Sequence, residues 1–168
     1  MRRTLQIILV VMLGASVLFG QGTNLVFKSA DGRSVDLASE RERVIVLSFS
    51  ATWAPLAAKE LAALQRLADA YAGRPVSVYW VSINSTKQGA KSYAADGDLQ
   101  PYASRAGFRG TVLRDPDQTA YRSLGLSSVP TIVVLDKNGA VARKHVGFDP
   151  DRDDALNDVT QAIDRALK

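Results

Sequence analysis

Few side chains in this sequence can do chemistry, and their spacing excludes more than it offers. None of the 168 residues is cysteine, so the chain has no thiolate for disulfide exchange or peroxide reduction, and no cysteine to carry a lipid anchor. His145 is the single histidine. It lies in a β-prone run alternating with Arg143 and has no Cys or second His to complete a metal site, so a surface or edge position is expected. Ser48, Ser50 and Thr52 carry hydroxyls, but the Gly-x-Ser-x-Gly elbow is absent and one histidine is a poor basis for a hydrolase triad. Asp149, Asp151, Asp153 and Asp154 are spaced superficially like a calcium loop without its Gly and closing Glu. Asp-Pro-Asp just before a helix reads more simply as an N-cap with dipole-favoured acids. No metal and no cofactor are expected.

Two short segments remain. In the first, Trp53-Ala54-Pro55-Leu56-Ala57, a strand passes into a helix that carries Glu60 on its first turns. Beside Lys59, Glu60 reads as a helix-surface or pocket-rim charge. The second is Ser128-Val129-Pro130-Thr131, roughly seventy-five residues downstream and directly before an apolar strand. The Val129-Pro130 bond is expected to be cis, since the preference for trans is small before proline.

The elements that must position these segments follow from periodicity. Residues 24–37 place two β-prone runs around Asp31-Gly32, a hairpin turn dipeptide. Val44 to Phe49 is nearly unbroken β-branched and aromatic sequence, as in a strand buried on both faces. From Pro55 to about Ala72, Leu56, Leu61, Leu64, Leu67, Ala68 and Tyr71 recur mostly at intervals of three or four, predicting an amphipathic helix that Gly73 and Pro75 end. Val76 to Ile83 is a second buried strand, and strand-helix-strand at this spacing predicts a right-handed crossover and a parallel pair. Residues 84–97 read as a long loop with a short helical piece around 90–95. A short helix from Leu99 to Ala106 follows, then an extended piece at 111–113 and a helix from Asp115-Pro116 to Leu124-Gly125. Thr131–Leu135 and Ala140–Val146 flank Asp136-Lys-Asn-Gly139, predicting an antiparallel hairpin. The last helix, Arg152 to Leu167, sets Ala155, Leu156, Val159, Ile163 and Leu167 on one face.

Length and a 46% hydrophobic, 23% charged composition fit one folded domain. The net charge is +4, of which Arg2 and Arg3 supply two. Basic residues are otherwise scattered among Lys28, Arg41, Arg66, Arg105, Arg114 and Arg143, so nucleic acid is not an expected partner. Arg2 and Arg3 precede the apolar stretch Leu5–Phe19, which makes residues 1–20 an export signal or an N-terminal membrane anchor. On either reading the rest of the chain is expected outside the cytoplasm, periplasmic or secreted, and residues 4–20 are its only expected membrane contact.

This order, with the two segments, resembles the thioredoxin superfamily, and within it the exported TlpA- and ResA-like, or redoxin, branch. The stretch Leu47 to Glu60 is similar to that family's strand-to-helix segment, with Ala54 and Ala57 where both redox cysteines belong. Ser128-Val129-Pro130-Thr131 is similar to its cis-proline loop, and the likeness extends over about residues 24–168. It implies an α/β fold: a central mixed β-sheet flanked by helices, with an N-terminal β-hairpin extension. In the family the first cysteine sits at a helix N-terminus that stabilises its thiolate, and an acidic residue at the place of Glu60 tunes it. A methyl group at Ala54 or Ala57 can do neither attack nor resolution. The proline loop of relatives also pairs with the backbone of an extended client, which needs no cysteine. The expected site is therefore Trp53, Pro55, Glu60, Val129, Pro130 and Thr131, with no catalytic residue and an extended peptide or protein client. The expected function is a non-catalytic binding or chaperone-like module. The alternatives are an oxidoreductase whose thiols come from a partner, and a structural subunit of an envelope complex.

Overall fold

A computed structural model of the chain describes residues 25–168; the expected export segment lies outside the described residues. The hairpin predicted around Asp31-Gly32 is strands β1 (Val26–Ser29) and β2 (Ser34–Asp36). Gly32 has φ of +87°, a conformation that costs a residue without a Cβ little. A single 3₁₀ turn, Leu37–Glu40, then leads to β3 (Val44–Ser50), buried along its whole length. Next come α1 (Ala57–Ala70) and β4 (Val76–Ser82), and β3 and β4 pair in parallel as the crossover rule requires. The remaining elements are α2 (Asp96–Arg105), β5 (Thr111–Arg114), α3 (Thr119–Ser123), β6 (Thr131–Leu135), β7 (Val141–Val146) and α4 (Asn157–Leu167).

The seven strands form one sheet in the order β2-β1-β5-β4-β3-β6-β7. Its centre, β5-β4-β3, is parallel, and β6, β7, β1 and β2 are added antiparallel. This is the mixed sheet with an N-terminal hairpin expected from sequence. The period of two along β3 divides the core: Val44 and Val46 face α1, α2 and α4, while Ile45, Leu47, Phe49 and Ala51 face α3 and the hairpin. Ser48 and Ser50 share the face of Val44 and Val46 and are fully buried, which brings two hydroxyls into the layer beneath α1.

Four local expectations need correction. Residues 90–95 are not helical: a bridge between Ser85 and Tyr93 and hydrogen bonds from Ser85 N to Ser92 O and from Ala94 N to Ser85 O fold them into a closed loop. The first helix begins at Ala57 rather than Pro55, because residues 51–57 run as tight turns, with Ala54 N donating to Ala51 O and Ala57 N to Ala54 O. The helix after Asp115 starts at Thr119 and is short. The last helix starts at Asn157, and its cap, Leu156, offers no side-chain acceptor. The aspartates before it do not cap. Asp149 accepts from Asp151 N at 3.1 Å and Asp154 binds Arg152, and these local turns compete with the helix.

Candidate functional site

The register between β3 and β6 brings the two segments together. Antiparallel pairing runs from Ile45↔Leu135 to Phe49↔Thr131, so the chain leaving β3 at Ser50 passes the chain entering β6 at Pro130. The Val129-Pro130 bond is cis. Thr131 is buried and donates through Oγ1 to Ser128 O at 2.7 Å, closing the loop on itself. Gly147 N donates to Pro130 O at 2.8 Å, fixing the loop's other side to the end of β7.

Trp53 projects into solvent at 51% exposure, and Pro55 beside it is also exposed. The two alanines point inward, Ala54 at 6% and Ala57 at 1% exposure. The cysteine positions of the resemblance are thus occupied by methyl groups packed into the base of the turn. Val129 and Pro130 are partly exposed, on the loop that enters β6 next to the end of β3.

Glu60 departs from its expected place on the surface. It lies on the inner side of α1 at 1% exposure, and Ser48 Oγ donates to its Oε1. Its Oε2, Ser50 Oγ and Trp80 Nε1 have no hydrogen-bond partner among the described residues. Burial pushes the carboxyl up to about 7; the Ser48 hydroxyl opposes this, and Ser50 also opposes it, lying near enough to act on the charge without bonding geometry. Tyr102, stacked on Trp80 with ring centroids 5.8 Å apart, is raised first by burial and then by the Glu60 charge. Helical spacing alone could not place Glu60. It follows Leu56 by four and precedes Leu64 by four, so it belongs to the apolar stripe, but a charged residue is ordinarily assigned outward.

Sequence reasoning missed Asn84, which fastens the site loop. This fully buried side chain accepts from Thr52 N at 3.0 Å and from Ser82 Oγ at 3.0 Å, and its amide donates to Thr52 Oγ1 at 2.9 Å and Ser92 O at 3.0 Å. All its polar capacity is used, as a buried amide requires. The chain of contacts continues to Arg114, which reads in sequence as one scattered cation. It is buried, lies in an ion pair with Asp96 at 2.8 Å and donates from its guanidinium to Ala94 O at 3.3 Å, with burial lowering its pKa. An asparagine directly after a buried strand was the available signal for this clamp.

His145 sits on the edge strand as expected, and its Nδ1 lies 2.8 Å from Asp158, which Arg143 also binds. Burial acts to raise Asp158, but the His145 and Arg143 contacts prevail and hold it low. Among the described residues no group of three His, Asp or Glu side chains is placed to hold a metal ion.

A mixed sheet whose helix-opening turn meets a cis-proline loop defines a thioredoxin-like protein, here with both redox positions filled by alanine. Residues 20–163 match the redoxin family model, and the chain belongs to the redoxin family. It is 20% identical over 127 residues to the thiol-disulfide oxidoreductase ResA of Halalkalibacterium halodurans, covering 76% of this chain and 67% of that protein. A ResA from Geobacillus thermodenitrificans is 22% identical over 120 residues, 71% of this chain and 64% of the relative. Among solved structures, a Chlorobium tepidum protein named as thiol:disulfide interchange protein DsbE superposes with a TM-score of 0.71 at 24% identity, over 88% of this chain and 96% of the other. The exposed lipoprotein thioredoxin Etrx1 of Streptococcus pneumoniae superposes with a TM-score of 0.65 at 22% identity, over 83% and 98%.

Proposed function

We propose that this redoxin is a non-catalytic binding module that works outside the cytoplasm and holds an extended peptide or protein client between Trp53 and the Val129-Pro130-Thr131 loop. The observation that carries this reading is the contrast at the site. The helix-opening turn and the proline loop are fastened by Asn84, Thr131 and Gly147, while the two positions aligned with the family's cysteines are buried methyl groups. An exposed tryptophan and a partly exposed proline loop at the same end of the sheet suit a client read through the loop's main chain and one apolar anchor. The basic-then-apolar start of the sequence supports the location.

Insulin-disulfide reduction tests the site directly. The natural chain is expected to show no rate above dithiothreitol alone, while Ala54→Cys with Ala57→Cys gains turnover, because the helix-opening turn is retained. Turnover by the natural chain would overturn the non-catalytic reading. Failure of the double cysteine variant, folded and at equal concentration, would show that the groove has diverged from a thiol-active geometry.

A further inference from the structure

Beside the site loop, α1 and the segment 147–156 line a cleft distinct from the Trp53 and proline-loop surface. The bond from Gly147 N to Pro130 O holds the chain leaving β7 against the proline loop, and Phe148 and Pro150 follow at once. Two adjoining hollows of about 260 and 210 Å³ share Arg66, Phe148 and Pro150. Their floor is apolar, built from Ala62, Ala63, Leu67 and Leu156.

Charge on the rim is one-sided. Lys59 and Arg66 are seven residues apart on α1, which places them on one face about 10 Å from each other. Both are exposed, and among the described residues neither joins an ion pair. A third cation on the lining, Arg152, is already engaged by Asp154 at 2.9 Å. Asp153 is the one acid on the lining; Asp149 and Asp151 belong to the same segment but not to the cleft. The result is an apolar trough with two unspent positive charges along its wall, continuous with the proline loop.

Building on the proposed groove, we infer that this cleft selects the client: an acidic, extended segment with an aliphatic or aromatic residue seated against Phe148 and two carboxylates, two to four residues apart, met by Lys59 and Arg66. That spacing follows from the rise of an extended chain, about 3.3 Å per residue, and the reach of the two long side chains. Rim charges of this kind set selectivity and salt dependence more than total affinity.

Fluorescence anisotropy with the full-length protein tests this. The probe is a fluorescein-labelled decapeptide alternating glutamate with leucine and phenylalanine, set beside one with lysine for every glutamate. The expected result is about tenfold tighter binding of the acidic peptide, lost in Lys59→Glu with Arg66→Glu and reduced by salt. Both positions are exposed, and unchanged thermal midpoints would confirm that the variant is folded. Equal binding of the two peptides, weakened alike by Trp53→Ala, would overturn the cleft and leave the groove standing. Acidic binding that needs Lys59 and Arg66 but survives Trp53→Ala would support the cleft and remove the groove. Binding of neither peptide would overturn both.

Discussion

Glu60 is the residue whose environment and charge conflict most. Its ordinary value is 4.5 and its folded value about 7, so the fold favours the neutral acid. The sign follows from linkage. The contribution of the neutral form is fully present below the ordinary glutamate value, is lost as pH rises toward 7, and is a constant penalty above that. At about 1.4 kcal/mol per unit the loss is about 3 kcal/mol. Glu60→Gln keeps the shape and cannot ionise, so it should gain about this much over the parent at pH 8 and little at pH 4, measured by urea midpoints. Asp31, Asp154 and Asp158 are shifted the opposite way, so the difference between the two curves is the quantity to read. Parallel curves would mean that Glu60 is solvated or paired in solution.

At the scale of elements, Asn84 is the tie between the end of β4 and the turn that opens α1. Asn84→Ala would leave the part-buried Thr52 N–H and Ser92 C=O and the buried Ser82 hydroxyl without this partner, at a cost of about 1–3 kcal/mol. Amide exchange at residues 52–54 should rise more than in β3 or β4; a uniform rise would assign Asn84 to general stability alone. The same contrast explains what could be read from sequence. Strands β3, β4 and β6 were legible because fully buried strands are continuous apolar runs, and the β1-β2 and β6-β7 turns because Asp31-Gly32 and Asn138-Gly139 have few other uses. Trp53, Pro55 and Pro130 were singled out by the family resemblance rather than by local pattern, and the structure leaves Trp53 and Pro55 exposed and the Val129-Pro130 bond cis. The loop 84–95 and the true start of α4 were not legible, since their geometry is set by distant partners such as Thr52 for Asn84 and by aspartates that bond their own backbone. Glu60 and Arg114 escaped for the same reason: burial of a charge is decided by neighbours, not by local pattern.

For the whole molecule, the open side of the sheet matters. Edge strand β7 exposes Val141 and Val146, an invitation to pair with another strand that Arg143, Lys144 and the irregular register opposite Val134 and Leu135 discourage. Lys144 is also spent on Leu124 O at 2.5 Å and Arg143 on Asp158, so these charges fasten the edge as well as guard it. Arg143→Val with Lys144→Val should raise the average mass seen by light scattering as concentration increases, while a single Val146→Lys should lower any association the parent shows. No change in mass for the double variant would indicate that the bulge alone protects the edge.

The buried methyls of Ala54 and Ala57 also bear on time. A thiol at this turn would hold a partner through a covalent bond whose making and breaking follow the ambient redox balance. Two buried methyl groups offer no such bond, so a segment held beside them, as proposed, would come and go by its own dissociation rate, with occupancy following concentration. Oxidants and reductants that would switch a dithiol have none to act on at this turn, so on the proposed reading a bound segment would depart chemically unmarked.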